Sequence, residues 1–87
     1  MVSQKTKVVN AEGFHMRPAG VFANAMGKFK SDVYLNVNGN KINGKSLMNI
    51  IAACIKCGSE VEIECSGEDE KEALAKAVEL IDTGLGD

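Results

Sequence analysis

Residues 32–43 read DVYLNVNGNKIN, and this stretch decides the fold. In residues 32–37 apolar and polar side chains alternate, which is the pattern of a strand with one buried face. Asn38-Gly39 follows at once, and this dipeptide is the strongest short signal for a two-residue hairpin turn. Residues 40–43 are expected to return as the next strand. The sequence therefore predicts an antiparallel hairpin near the middle of the chain.

Two further strands and three helices are predicted around this hairpin. Residues 2–9 form the first strand, and the last strand alternates Val61, Ile63 and Cys65 with glutamates. The first two helices are expected from about Met16 to Gly27 and from Leu47 to about Cys54. The third is expected to begin at Asp69, which forms a capping pattern with Glu72, and its apolar stripe extends to Ile81. The order β-α-β-β-α-β-α implies an α+β fold in which helices cover one side of an antiparallel sheet.

Length and composition predict a single domain over residues 1–87. Its 45% apolar and 25% charged residues are ordinary for a globular protein. No apolar run approaches the roughly 20 residues that span a bilayer, and the first residues lack the apolar core of a signal peptide. We therefore expect a cytoplasmic protein with no membrane insertion.

The charges are distributed unevenly along the chain. Residues 1–56 carry a net charge of +6, whereas residues 57–87 carry −8. A positive face would attract an acidic partner or a phosphate donor. Nucleic acid is not an expected partner, because the net charge of −2 is negative and no aromatic residues are interleaved with the basic ones.

The three cysteines, Cys54, Cys57 and Cys65, leave one alternative open. Reduced thiols are the default in a chain without an export signal. The C-x-x-C spacing of Cys54 and Cys57 could indicate a small zinc or redox module, but a structural zinc site needs four ligands. We expect structural thiols, no metal and no cofactor.

The segment Gly13-Phe14-His15-Met16-Arg17-Pro18-Ala19 contains the only histidine and the only proline of the chain. Proline is tolerated in the first turn of a helix, so it predicts a helix start near residues 16–18 with His15 at the N-cap. Such a helix end favours anions through its N–H groups, here those of Met16 and Arg17, since Pro18 has none. Arg17 adds a cation suited to phosphate oxygens.

This arrangement suggests a histidine that accepts a phosphoryl group. Imidazole is a good nucleophile near neutral pH, and the two anion-stabilising features beside His15 would hold the product phosphate without burying it. The alternative is that His15 is an ordinary solvated residue of a turn.

The second helix has more apolar residues than one buried face requires. Ser46 is its expected N-cap, and Ile50, Ala53 and Cys54 can point inward. A second apolar cluster then remains, formed by Leu47, Met48 and Ile51. In so short a chain we interpret this cluster as a docking patch for a partner, with additional core as the alternative.

Two segments resemble one known family. Residues 13–19 resemble the phosphorylation-site signature of the HPr family, the histidine-containing phosphocarriers of the bacterial phosphoenolpyruvate-dependent sugar phosphotransferase system. Residues 44–48 resemble the regulatory serine region of the Gram-positive type, and the resemblance covers essentially the whole chain. It implies an open-faced β-sandwich, in which three helices cover one face of a four-stranded antiparallel sheet.

The resemblance also implies partners and a carrier role rather than an enzyme. Enzyme I would donate a phosphoryl group to His15, with Arg17 stabilising the charge, and Enzyme II A domains would accept it. Ser46 would be phosphorylated by an HPr kinase/phosphorylase, and a catabolite-control transcription factor is a further expected partner of this monomer.

Three residues depart from the usual family pattern. Phe14 and Met16 add apolar bulk beside His15, and we expect both to contribute to docking, with restricted approach to His15 as the alternative. Glu12 places an acid near the phosphate, where it would shorten the lifetime of the phosphohistidine.

Overall fold

The computed structural model describes residues 1–9 and 13–85. Its elements, in chain order, are β1 (Val2–Lys7), α1 (Met16–Met26), β2 (Asp32–Val37), β3 (Asn40–Asn43), α2 (Leu47–Ala52), β4 (Glu60–Ser66) and α3 (Glu70–Asp82). The predicted order is confirmed, and every element lies within a few residues of its expected position. Glu12 and the rest of the loop expected before Gly13 lie outside the described residues.

The four strands form one antiparallel sheet in the order β1-β4-β2-β3. The predicted hairpin is confirmed, with Tyr34 opposite Asn43 and Val37 opposite Asn40. Strand β4 lies between β1 and β2, so that it pairs with both neighbours along most of its length. The last strand in the sequence therefore holds the first half of the chain together.

The core lies between the helices and one face of this sheet. The alternating apolar residues of β2 and β4 are buried, as the sequence predicts, and the opposite residues of these strands are exposed or half-buried. Helix α3 buries Ala73, Ala77 and Ile81 against the sheet, and α1 buries Phe22 and Met26. The predicted α+β open-faced sandwich is confirmed.

Helix α2 is shorter than the sequence predicts. It ends at Ala52 with Ala53 as its C-cap, because Cys54 adopts a left-handed backbone with φ +53°. Ile50 is fully buried, as expected, but Cys54 is exposed. The expectation that Cys54 points inward is therefore wrong.

The expected pairing of Asp69 with its own helix is also wrong. Asp69 is the N-cap residue of α3, yet its side chain makes no capping hydrogen bond. Its carboxylate instead accepts the N–H groups of Lys30 and Ser31, each at 2.9 Å, and the Ser31 hydroxyl. These hydrogen bonds hold the pKa of Asp69 at about 2, below its ordinary value. Asp69 thus ties the start of α3 to the chain entering β2.

Candidate functional site

His15 occupies the N-cap of α1, as the sequence predicts. Its backbone is extended, with φ −97° and ψ −162°, and its carbonyl oxygen accepts the N–H of Ala19 at 2.8 Å. The His15 side chain is exposed and does not itself cap the helix. The structure therefore presents an imidazole at the surface beside the positive end of an 11-residue helix.

The first turn of α1 separates exposed from buried residues. Met16 and Arg17, directly after His15, are exposed, whereas Pro18 is fully buried. The proline fixes the helix start against the core and offers no N–H to the surface. The geometry agrees with the predicted anion-favouring helix start, and the contact of Arg17 and these N–H groups with a phosphate stays a prediction.

The two residues before His15 pack closely on the segment that follows α2. Gly13 has a left-handed φ of +68°, and a Cβ at this position would lie 2.4 Å from the carbonyl oxygen of Ile55. That same oxygen accepts the N–H of Phe14 at 2.9 Å. The loop before His15 is therefore anchored to the segment that follows α2.

Phe14 completes this anchoring from within the core. Its side chain is only 2% exposed, and its ring meets Phe22 edge to face with the centroids 5.5 Å apart. The expectation that the Phe14 side chain lies on a docking surface is wrong. The Phe14 ring instead anchors the residues before His15 to α1 through its contact with Phe22.

A shallow cavity of about 200 Å³ lies beside His15. Phe14, Ile51 and Ile55 supply apolar walls, and Cys54 and Lys56 complete the lining. Sequence reasoning missed the last two residues. The left-handed turn at Cys54 brings them to His15, and no periodic pattern in the sequence signals that reversal.

Helices α1 and α2 expose an apolar surface next to this cavity, here called the docking surface: Met16, Leu47, Met48 and Ile51. Met16 is 71% and Met48 72% exposed, Leu47 is 37% exposed, and Ile51 is half-buried where it lines the His15 cavity. Large exposed apolar side chains on neighbouring elements are typical of a protein interface. Of the predicted patch, Ile51 borders the His15 cavity and Leu47 and Met48 are exposed on the same helix, and the role of these residues in docking stays a prediction.

Ser46 caps α2, as the sequence predicts. Its hydroxyl oxygen accepts the N–H of Asn49 at 3.3 Å, and Leu47 follows it directly. The neighbouring Lys45 ammonium donates to the carbonyl oxygen of Phe29 at 2.7 Å. A charge added to Ser46 would therefore lie at the edge of the docking surface.

The thiols do not form a cluster. Cys54 lines the His15 cavity, Cys57 places its Sγ 3.9 Å from the Val9 carbonyl oxygen, and Cys65 is buried in β4. Burial, together with the negative charges of Glu70 and Asp69, raises the pKa of Cys65 to about 11. Within residues 1–9 and 13–85 no three His, Cys, Asp or Glu side chains are grouped to hold a metal.

Comparison with known proteins gives consistent matches over the whole chain. The family described as "PTS HPr component phosphorylation site" matches residues 2–83. The HPr-like protein Crh of Bacillus subtilis is 42% identical over 76 residues, which are 87% of this chain and 89% of that protein. Phosphocarrier protein HPr of Neisseria meningitidis serogroup A is 32% identical over 87 residues, covering 100% and 98% of the two chains.

A solved structure agrees with these matches. The crystal structure of HPr-C-His from Thermoanaerobacter tengcongensis superposes with a TM-score of 0.96 at 32% identity and covers 100% of this chain and 98% of that one. No helix in the described ranges has the length and apolar character to cross a bilayer.

Fold and site define an open-faced α+β domain that presents one histidine at the start of its first helix. The chain belongs to the HPr family of phosphocarrier proteins of the phosphotransferase system.

Proposed function

We propose that this protein carries a phosphoryl group on His15 between Enzyme I and the Enzyme II A domains of a sugar phosphotransferase system. The observation that carries the proposal is the exposed imidazole of His15 at the N-cap of α1, held on a loop that is anchored by Gly13 and Phe14. Family membership supports the same reading.

In the proposed transfer, a ring nitrogen of His15 attacks the phosphorus of phospho-Enzyme I. The new nitrogen–phosphorus bond forms as the bond between phosphorus and Enzyme I breaks, and its electrons remain on Enzyme I. Charge on the transferring oxygens is stabilised by the Arg17 guanidinium and by the helix start with the N–H groups of Met16 and Arg17. The second transfer repeats this step with His15 as the leaving group. The protein is thus a carrier rather than a turnover enzyme.

The docking surface would receive both partners in turn. Met16 and Met48 are largely exposed, and such side chains adapt to different partner surfaces. The basic residues of the first half of the chain would steer acidic partners towards it. We place this exchange in the cytoplasm.

Regulation through Ser46 is part of the proposal. An HPr kinase/phosphorylase would add a phosphate with about two negative charges at the N-cap of α2. The phosphate would suit the helix start, yet it would oppose docking beside Leu47. A catabolite-control transcription factor is the proposed reader of that state.

A second candidate function is that of a regulatory protein that docks without carrying phosphate, and the solved structure of one relative names it as the Bacillus subtilis catabolite repression HPr. The HPr-like protein Crh of Bacillus subtilis is 42% identical to this chain. His15 argues against this function, because a docking-only protein has no use for an exposed nucleophile.

We propose that the protein is a monomer, although one Crh structure is a swapped dimer. Light scattering on the purified chain decides between the two states.

A two-step transfer experiment tests the proposed function. The protein is phosphorylated with phosphoenolpyruvate, magnesium and Enzyme I, separated, and mixed with a purified Enzyme II A domain. The mass of one phosphate is expected to leave this protein and appear on the acceptor, and His15→Ala is expected to transfer none. Binding to the acceptor without any movement of phosphate would favour the docking-only function.

A further inference from the structure

We propose that Lys56 is a second cation of the phosphate site, with its ammonium contacting the phosphoryl group on His15. The inference deepens the proposed function and rests on it. It starts from the cavity beside His15, because Lys56 and His15 both line it although 41 positions separate them in the chain.

The backbone of Lys56 is fixed at this place. Its N–H donates to the Ser59 hydroxyl at 3.2 Å, and its carbonyl oxygen accepts the Ser59 N–H at 3.0 Å. The Cα of Lys56 lies 2.8 Å from the point where a Cβ of Gly13 would be, so it packs directly on the loop that precedes His15. The lysine side chain therefore starts from a hydrogen-bonded backbone next to Gly13 and Phe14.

The apolar lining of the cavity is expected to strengthen the attraction between the Lys56 ammonium and a phosphate. Phe14, Ile51 and Ile55 form the apolar part of the cavity lining, and apolar atoms lower the dielectric around a charge beside them. An attraction between opposite charges increases as the surrounding dielectric falls. A phosphoryl group on His15 brings negative charge to the mouth of this cavity, and Lys56 is the cationic side chain among the residues that line it.

Lys56 and Arg17 then have separate positions. Arg17 belongs to α1, whereas Lys56 follows α2 and reaches the site through the turn at Cys54. Arg17 is not among the residues that line the cavity. The phosphoryl group would thus have one cation from the helix it caps and another from the cavity.

The test is the equilibrium constant for transfer from phospho-Enzyme I. This constant compares the free proteins before and after transfer, so a change in docking alone cannot alter it. We measure it by intact mass for the wild type, Lys56→Ala, Lys56→Arg and Lys71→Ala. Lys71 is the matched control, because it is an exposed lysine at the start of α3. The start of α3 contacts Lys30, which follows the C-terminal end of α1, whereas His15 lies at the N-terminal end of that helix.

Lys56→Ala is expected to lower the equilibrium constant roughly two- to fivefold, the range of an exposed ion pair. Lys56→Arg is expected to restore it, Lys71→Ala to leave it unchanged, and high salt to remove the difference. An unchanged constant in Lys56→Ala, even with slower transfer, would overturn the proposal and leave Lys56 a docking residue. Wild-type protein that accepts no phosphate would overturn the proposed function itself.

Discussion

Gly13 packs so closely on Ile55 that a Cβ at residue 13 would lie 2.4 Å from the Ile55 carbonyl oxygen. The same oxygen accepts the N–H of Phe14, one residue before His15. The position of the imidazole is therefore set by a contact between two segments that are far apart in sequence.

Gly13→Ala is expected to destabilise the protein and to slow phosphate acceptance. Alanine would have to keep a φ of +68° and overlap a backbone oxygen, which costs on the order of 1–3 kcal/mol. Gly20→Ala is the matched control, because it lies within α1 with nothing within 4 Å of the added Cβ. It should stabilise the protein by about 0.5–1 kcal/mol. Urea unfolding and transfer rates measure both effects, and equal stability of the two variants would contradict this account of the loop.

Met48 and Ile50 separate docking from stability on one helix. Met48 is 72% exposed, whereas Ile50 is fully buried. Met48→Ala should weaken partner binding by about fivefold or more with little change in unfolding. Ile50→Ala should cost about 2–5 kcal/mol of stability. Calorimetric titration with Enzyme I and denaturant melts test this, and undiminished affinity in Met48→Ala would remove that residue from the docking surface.

Ser46→Asp and Ser46→Ala should separate the effect on docking from the effect on stability. Aspartate keeps an acceptor for the Asn49 N–H, so stability should change little, but its charge should weaken docking beside Leu47. Alanine loses the cap and about 1 kcal/mol of stability, with docking retained. Melting temperatures and partner affinities check both variants. If Ser46→Asp binds partners as tightly as the wild type, electrostatic regulation at this serine is wrong.

Asp69 is expected to make the folding stability of the protein depend on pH in the acid range. Its pKa is about 2 in the folded protein and 3.8 ordinarily, so the unfolded chain binds more protons between these values. The stabilisation is therefore complete above about pH 4 and is lost as the pH falls towards 2. Asp69→Asn should lower the melting temperature at neutral pH, and its difference from the wild type should shrink across this window.

Glu68→Gln is the control for this effect, since Glu68 is exposed and its carboxylate lies 3.9 Å from the exposed Lys30 ammonium. A difference between wild type and Asp69→Asn that stays constant from pH 6 to pH 2 would show that the Asp69 charge does not stabilise the fold.

Local patterns predicted the elements because each depends on neighbouring residues. The alternation in β2, the Asn38-Gly39 turn and Pro18 after His15 are all short-range signals, and the structure has the hairpin and the helix start where they indicate. The position of β4 between β1 and β2 depends on pairing between distant strands. No local pattern contains that information.

In the candidate site, too, only the residues positioned by local structure could be predicted from the sequence. His15, Met16 and Arg17 could be found together because one helix start positions them all. Cys54 and Lys56 could not, because they join the cavity through a left-handed residue that is not glycine. The burial of Phe14 could not be predicted, because its sequence neighbours do not show that its ring packs against Phe22.

The most direct test of the phosphocarrier account is the intact mass of the protein after incubation with phosphoenolpyruvate, magnesium and Enzyme I, before and after brief acid treatment. The account predicts the gain of one phosphate that acid removes and that His15→Ala never acquires. A folded protein that gains no acid-labile phosphate from a competent Enzyme I would contradict it.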